Sequence, residues 1–184
     1  GNAPNINDLQ VKIFADGANL NDIASLAENP LIKGFTTNPT LMHKANVPDY
    51  KAFSLEVLSI IGDRPVSFEV FSDDFLEMER QANEIASWGD NIYVKIPVTN
   101  TLGQFAGPLV QQLSNEGVHV NVTALMTTQQ VERVAAHLSH ETPSIVSVFA
   151  GRVADTGRDP VPAMADSVQI LKSNPMAELI WASP

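Results

Sequence analysis

The chain has 184 residues, 44% of them hydrophobic and 17% charged, the makeup of an ordinary soluble globular protein that can bury a sizeable core. It carries no cysteine, which excludes a disulfide framework, a zinc–thiolate site and a catalytic thiol. A net charge of −10 argues against a nucleic-acid partner, which requires a basic stripe, but allows a phosphorylated ligand held by a few local cations.

Short apolar runs alternate with longer amphipathic ones along the chain. The first strand is expected over Val11–Ala15 and the first helix over Leu20–Glu28, followed by a strand at Lys33–Thr36 and a helix at Pro48–Ile61. A strand over Val66–Phe71 leads to a helix at Asp73–Trp88, where Phe75, Met78, Ala82, Ile85 and Ala86 recur at spacings of three and four. Asp73 and Asp74 supply caps at its start, and Gly89 stops it. Next come a strand at Ile92–Pro97 and a helix at Leu102–Asn115 ended by Gly117. Strands at Val118–Val122, Ser144–Phe149 and Glu178–Trp181 are separated by helices at Thr128–Ser139 and Val161–Lys172. The strands are apolar on consecutive positions, as buried parallel strands are. No apolar run approaches the roughly 20 residues needed to span a bilayer. The first ten residues lack the basic and apolar regions of a signal peptide. The expected setting is cytoplasmic, without a membrane partner.

Alternating strands and helices admit a doubly wound sheet or a (β/α)₈ TIM-type barrel. A doubly wound dinucleotide binder should carry a Gly-x-Gly-x-x-Gly turn, whereas the first turn reads Ala15-Asp16-Gly17-Ala18-Asn19. An α/β barrel forming one domain over residues 1–184 is therefore expected. It counts seven strands, and the sequence ends at Pro184 just beyond the seventh.

Lys95 lies inside the most apolar run, Ile92-Tyr93-Val94-Lys95-Ile96-Pro97-Val98. An ammonium there must be paired, must reach water, or must be held neutral, and a neutral amine can attack a carbonyl to form a Schiff base. Barrel enzymes gather their chemistry at the C-terminal ends of the strands. Those ends supply Asp16, then Thr36 with Asn38, then Glu69, Lys95, Asn121 with Thr123, and Ser147 before Arg152. Each has an ordinary alternative: Asp16 as a helix cap, Asn38 as a turn residue before Pro39, Arg152 as the partner of Asp155 or Asp159. Six successive strands delivering polar groups to one end suits class I aldol chemistry, with lysine as nucleophile, a carboxylate for proton transfer and neutral donors for hydroxyls.

In these segments the chain resembles the transaldolases, in particular the small branch that includes the fructose-6-phosphate aldolases. The matching stretches are Phe14-Ala15-Asp16, Thr36-Thr37-Asn38-Pro39-Thr40, Phe68-Glu69-Val70, Tyr93-Val94-Lys95-Ile96-Pro97, Val120-Asn121-Val122-Thr123-Ala124 and Ser147-Val148-Phe149-Ala150-Gly151-Arg152. The resemblance implies that Lys95 forms the Schiff base and that Asp16 removes the C4-hydroxyl proton as the carbon–carbon bond breaks. It also implies that Glu69 acts through a water that Thr123 helps to hold. Asn38, Asn121 and Ser147 would orient hydroxyls and Arg152 would bind phosphate, with Thr36, Phe149 and Ser183 completing the substrate-binding set. Fructose-6-phosphate aldolases resemble a version with glutamine at the Glu69 position and tyrosine at the Phe149 position, so the residues here are of the transferase type. No cofactor or metal is implied. The family's pattern also continues past Pro184 with a further arginine and an eighth βα unit, and it implies a homo-oligomer when that unit is present.

Three rival readings remain at this point. One is a lyase that releases free dihydroxyacetone; another is a non-catalytic sugar-phosphate-binding barrel. A metal-dependent aldolase is the third, although His43, His119, His137 and His140 do not cluster at the strand ends.

Overall fold

A computed structural model of the chain describes residues 14–17, 19–37, 47–149 and 159–182. The chain divides into two compact units, one of Lys12–Lys95 and one containing Ile96–Pro184. Parallel strands alternate with helices in both, as the periodicity predicts.

The first unit runs β1 (Phe14–Gly17), α1 (Leu20–Ala27), β2 (Gly34–Thr37), α2 (Val47–Ile61), β3 (Val66–Glu69) and α3 (Phe75–Ala86), and ends within β4 (Ile92–Pro97). β1 pairs with β2, β2 with β3 and β3 with β4, all parallel. Successive side chains in a strand point to opposite faces, and residues in parallel register share a face. Phe35, Val66, Phe68, Ile92 and Val94 therefore form one face, all of them 2% exposed or less. Against this face the helices contribute Ile23, Tyr50, Val57, Met78, Ala82 and Ile85, each also buried. Full burial of such side chains is worth about 1.5–3 kcal/mol apiece. The other face carries the polar residues.

α1 is capped by Asn19, whose side chain accepts from the Asp22 N–H at 2.9 Å, and α3 by Asp74, which accepts from the Glu77 N–H at 3.1 Å. β3 stops at Glu69 rather than at Phe71. The Val70 N–H still bonds the Lys95 carbonyl, but the Phe71 and Ser72 N–H groups turn to the Gln81 side chain.

The second unit holds α4 (Gly107–Asn115), β5 (Val120–Leu125), α5 (Thr128–Ala135), β6 (Ser144–Phe149), α6 (Pro160–Leu171) and β7 (Ala177–Ala182). β5, β6 and β7 are parallel neighbours in that order. α4 begins five residues later than the apolar pattern suggests. Residues 98–106 instead close on themselves: Asn100 Oδ1 accepts from the Leu102 and Gln104 N–H groups at 3.0 and 2.9 Å, and Thr99 bridges Phe105. Gly103, at φ +77°, makes the turn that β-carbon-bearing residues resist. The Phe105 ring then lies across the start of α4, stacked 4.0 Å from the Arg133 guanidinium. A Cβ on Gly107 would fall 2.1 Å from that ring, so only glycine admits the packing.

β5 lies two residues later than expected, because Val118 is used to close α4: its N–H bonds the Leu113 carbonyl at 2.9 Å, past Gly117 at φ +92°. α5 ends at Ala135 rather than Ser139, its last turn tightening into i to i+3 bonds from His137 to Val134 and from Leu138 to Ala135. Among the described residues no helix is long and apolar enough to cross a membrane.

Arg64 ties together the helix ends of the first unit. Its guanidinium donates to the carbonyls of Ala27 at 2.7 Å, Ile32 at 3.3 Å and Ile61 at 3.4 Å, and lies 4.9 Å over the Phe35 ring. Arg64→Leu leaves these carbonyls without their donor. It should lower unfolding free energy by about 1.5–3 kcal/mol, read as a shift in urea midpoint, with no change in ligand affinity measured on the folded protein.

Candidate active site

The register of the first unit builds a polar face from residues distant in sequence. Asp16 pairs with Thr36, Thr36 with Ser67, and Ser67 with Tyr93, forming one cross-strand row. Two residues further along, Glu69 pairs with Lys95 on the same face. Neighbouring strands lie about 4.8 Å apart, so the two residues occupy adjacent backbone positions.

Lys95 is half-buried, between Val94 and Ile96 that are fully buried on the opposite face. Its ammonium donates to the Thr37 carbonyl at 3.5 Å, a long contact that a substrate can displace at little cost. The lysine thus belongs to the polar face of a strand whose alternation the apolar run of the sequence conceals.

Behind Glu69 stands Tyr50 of α2, 1% exposed, whose hydroxyl donates to the Glu69 carbonyl at 3.0 Å. Its ring meets Phe71 edge-on at 4.8 Å, Phe68 at 6.2 Å and Trp88 at 5.6 Å. Burial, reinforced by the charge of Glu69, pushes the phenol well above its ordinary value of 10.0.

The second unit carries a second polar cluster. Ser147 donates to Asn121 Oδ1 at 2.7 Å, with Asn121 0% and Ser147 4% exposed. Above Asn121 the register between β5 and β6 shifts between Val122 and Leu125, and Ala124 sits at φ +65°. This bulge is strained for a residue bearing a Cβ. It leaves Thr123 half-buried at the strand end, its carbonyl accepting from the Val98 N–H at 2.9 Å. Phe149, also half-buried, closes β6.

Of the expected site residues, Thr36, Glu69 and Lys95 are thus brought to one face of the first unit, and Asp16 holds the register position beside Thr36. Asn121, Thr123, Ser147 and Phe149 lie together on β5 and β6 of the second. Asn38, Arg152 and Ser183 lie outside the described residues. Among those described, no group of three or more His, Asp or Glu side chains could hold a metal ion. The contacts of Tyr50 and Gln81 at the end of β3 and the backbone of Ala124 were not legible in the sequence. Tyr50 reads as one more apolar position of α2, and nothing in an alanine announces a left-handed backbone.

Residues 13–184 match the family model described as transaldolase/fructose-6-phosphate aldolase. The chain is 35% identical over 162 residues to a protein named "Probable transaldolase" from Dehalococcoides mccartyi, an alignment covering 88% of this chain and 71% of that one. Proteins of the same name from Roseiflexus castenholzii and Nitrosopumilus maritimus are 35% and 37% identical, over 94% of this chain and 76% and 74% of theirs.

The raised Tyr50 phenol gives a signed pH dependence. The folded state holds the phenol proton more tightly than the unfolded state does. The contribution of Tyr50 to stability is therefore complete below pH 10 and declines above it, by at most about 1.4 kcal/mol per pH unit. Urea midpoints at pH 9 and pH 11 should fall further apart in the parent protein than in Tyr50→Phe, which lacks the ionising group.

Proposed function

The chain belongs to the transaldolase/fructose-6-phosphate aldolase family, and on that premise we propose that it moves a dihydroxyacetone unit from a ketose phosphate to an aldose phosphate through an imine on Lys95. The register pairing of Glu69 with Lys95 on the polar face carries this conclusion. Adjacent positions suit a carboxylate that transfers protons and an amine that must lose and regain them.

The Lys95 amine adds to the ketose C2 carbonyl, and the carbinolamine loses its hydroxyl as water. Glu69 supplies the proton through a water that Thr123 helps to hold. Asp16 then takes the C4-hydroxyl proton, and the C3–C4 bond breaks with its electron pair passing into the iminium. The aldose departs and an enamine remains. C3 of that enamine attacks the acceptor aldehyde, Asp16 returns the proton to the new alkoxide, and water releases the lengthened ketose from Lys95. Asn38, Asn121 and Ser147 orient the hydroxyls of the intermediate, with Thr36 beside them, while Arg152 grips the phosphate and Ser183 completes the substrate set. Glu69 together with Phe149, which offers no hydroxyl as an alternative acid, favours the transferase over the lyase.

A closed (β/α)₈ barrel is part of this proposal. Three strand spacings separate β1 from β4, about 14 Å in a flat sheet. Curvature is needed for Asp16 and Lys95 to act on one sugar. The reaction belongs to the pentose phosphate pathway, in the cytoplasm, and uses no cofactor.

Borohydride reduction in the presence of fructose 6-phosphate should fix the sugar to Lys95, as read by peptide mass mapping. Lys95→Met should lose turnover, and Lys95→Arg should lose it equally because a guanidinium stays protonated. Label on another lysine would overturn the assignment.

Arg152→Ala separates phosphate binding from an ion pair with Asp155 or Asp159. Losing a charge-assisted bond costs about 1.5–3 kcal/mol. KM for phosphorylated sugars should therefore rise about 10–150-fold, with that for unphosphorylated sugars nearly unchanged. Equal changes for both would assign Arg152 to the fold.

A further inference from the structure

We propose that Tyr50 and Gln81 are positioning residues that clamp the end of β3 and thereby fix Glu69 against Lys95, an inference that rests on the Schiff-base reading above. Four backbone groups of residues 69–72, at and just past the end of the strand, are held by named partners. The Glu69 carbonyl accepts from the Tyr50 hydroxyl at 3.0 Å, and the Val70 N–H donates to the Lys95 carbonyl at 3.3 Å. The Phe71 and Ser72 N–H groups both donate to Gln81 Oε1, at 2.9 and 3.1 Å. Two N–H donors converging on one atom require that atom to be the amide oxygen, so the orientation of the Gln81 side chain is fixed by its chemistry.

β3 has only four residues, and its ladder with β4 stops at Glu69, where fraying would be expected. Two helices replace the missing ladder. α2 provides a hydroxyl and α3 an amide oxygen, and both act on main-chain atoms rather than on the Glu69 side chain. The Tyr50 ring is itself wedged among Phe68, Phe71 and Trp88, so its hydroxyl cannot follow a moving carbonyl. The peptide planes on either side of Val70 are thereby fixed, and with them the direction in which Glu69 leaves the strand. Catalytic rates are sensitive to such placement, a shift of about 1 Å costing as much as 100-fold.

Three variants test the clamp on the whole chain. Gln81→Leu keeps similar bulk and removes the acceptor, Tyr50→Phe keeps the ring and removes the donor, and Gln81→Glu keeps acceptor oxygens. Amide hydrogen exchange at Phe71 and Ser72, imine formation with fructose 6-phosphate quenched by borohydride, and kcat and KM are measured for each. In Gln81→Leu, exchange at both amides should accelerate and imine formation and kcat should fall about 10-fold, within the range for lost placement, with KM changed less than about twofold. Gln81→Glu should restore the rate. A kcat within about twofold of the parent in folded Gln81→Leu and Tyr50→Phe overturns the proposal, as does a kcat loss matched by an equal loss of folded protein in circular dichroism. Should Gln81→Leu fail to fold, Tyr50→Phe makes the same comparison with the aromatic packing retained. If the parent protein forms no imine, the Schiff-base reading fails by itself. Exchange at Phe71 and Ser72 then decides the clamp: unchanged rates in Gln81→Leu overturn it.

Discussion

A lysine can lie in the middle of this apolar sequence because a strand turns successive side chains to opposite faces. Ile92, Val94 and Ile96 take the side that packs on helices, and Tyr93, Lys95 and Pro97 take the other. Taking an ammonium wholly out of water costs several kcal/mol. That would cancel the burial of two or three of the apolar side chains around it. Half exposure on the polar face avoids the cost. The same alternation, carried across by parallel register, lines up Thr36, Ser67 and Glu69 with the lysine's face.

The ends of β3, β5 and β6, which carry residues of the proposed site, are held by specific contacts. Around Glu69 the contacts go to main-chain atoms, from α2 and α3. At Asn121 the partner is Ser147 of the next strand, so the two buried polar groups satisfy one another in a place where an unpaired amide would cost about 1–3 kcal/mol. At Thr123 a bulge with Ala124 in the left-handed region redirects the chain, and the Thr123 carbonyl is tied to the Val98 N–H. Helix starts nearby use local caps: the Thr127 hydroxyl accepts from the Gln130 N–H at 3.1 Å, while Gln130 Oε1 accepts from the Thr127 N–H at 3.2 Å.

Some of this was written locally and some was not. Asp74 as the cap of α3 and Gly117 as the stop after α4 follow from the intrinsic preferences of aspartate and glycine, and both occur as read. The start of α4 did not follow. Leu102, Phe105 and Leu109 look like one helical stripe, yet Leu102 is 78% exposed and Phe105 is claimed by Arg133 and His137, contributed from α5 and the turn just after it. Asn100, an ordinary loop residue by composition, organises that segment through bonds to its own backbone neighbours. Arg64 was equally silent, since its carbonyl partners lie up to 37 residues away.

By itself the sequence determined the alternation of strands and helices, the helix caps and the identity of the polar residues at the strand ends. Each of these depends on neighbours a few positions apart, and the chemistry of those residues is intrinsic. Only the tertiary structure decided which residues stand next to one another: Glu69 opposite Lys95, Ser147 on Asn121, Tyr50 and Gln81 behind the end of β3. Register is the physical reason. A slip of one residue between strands would turn the whole polar set to the opposite face, and register is chosen by the packing of Phe35, Val66, Phe68 and Val94 against helices far along the chain, a sum that no local stretch contains.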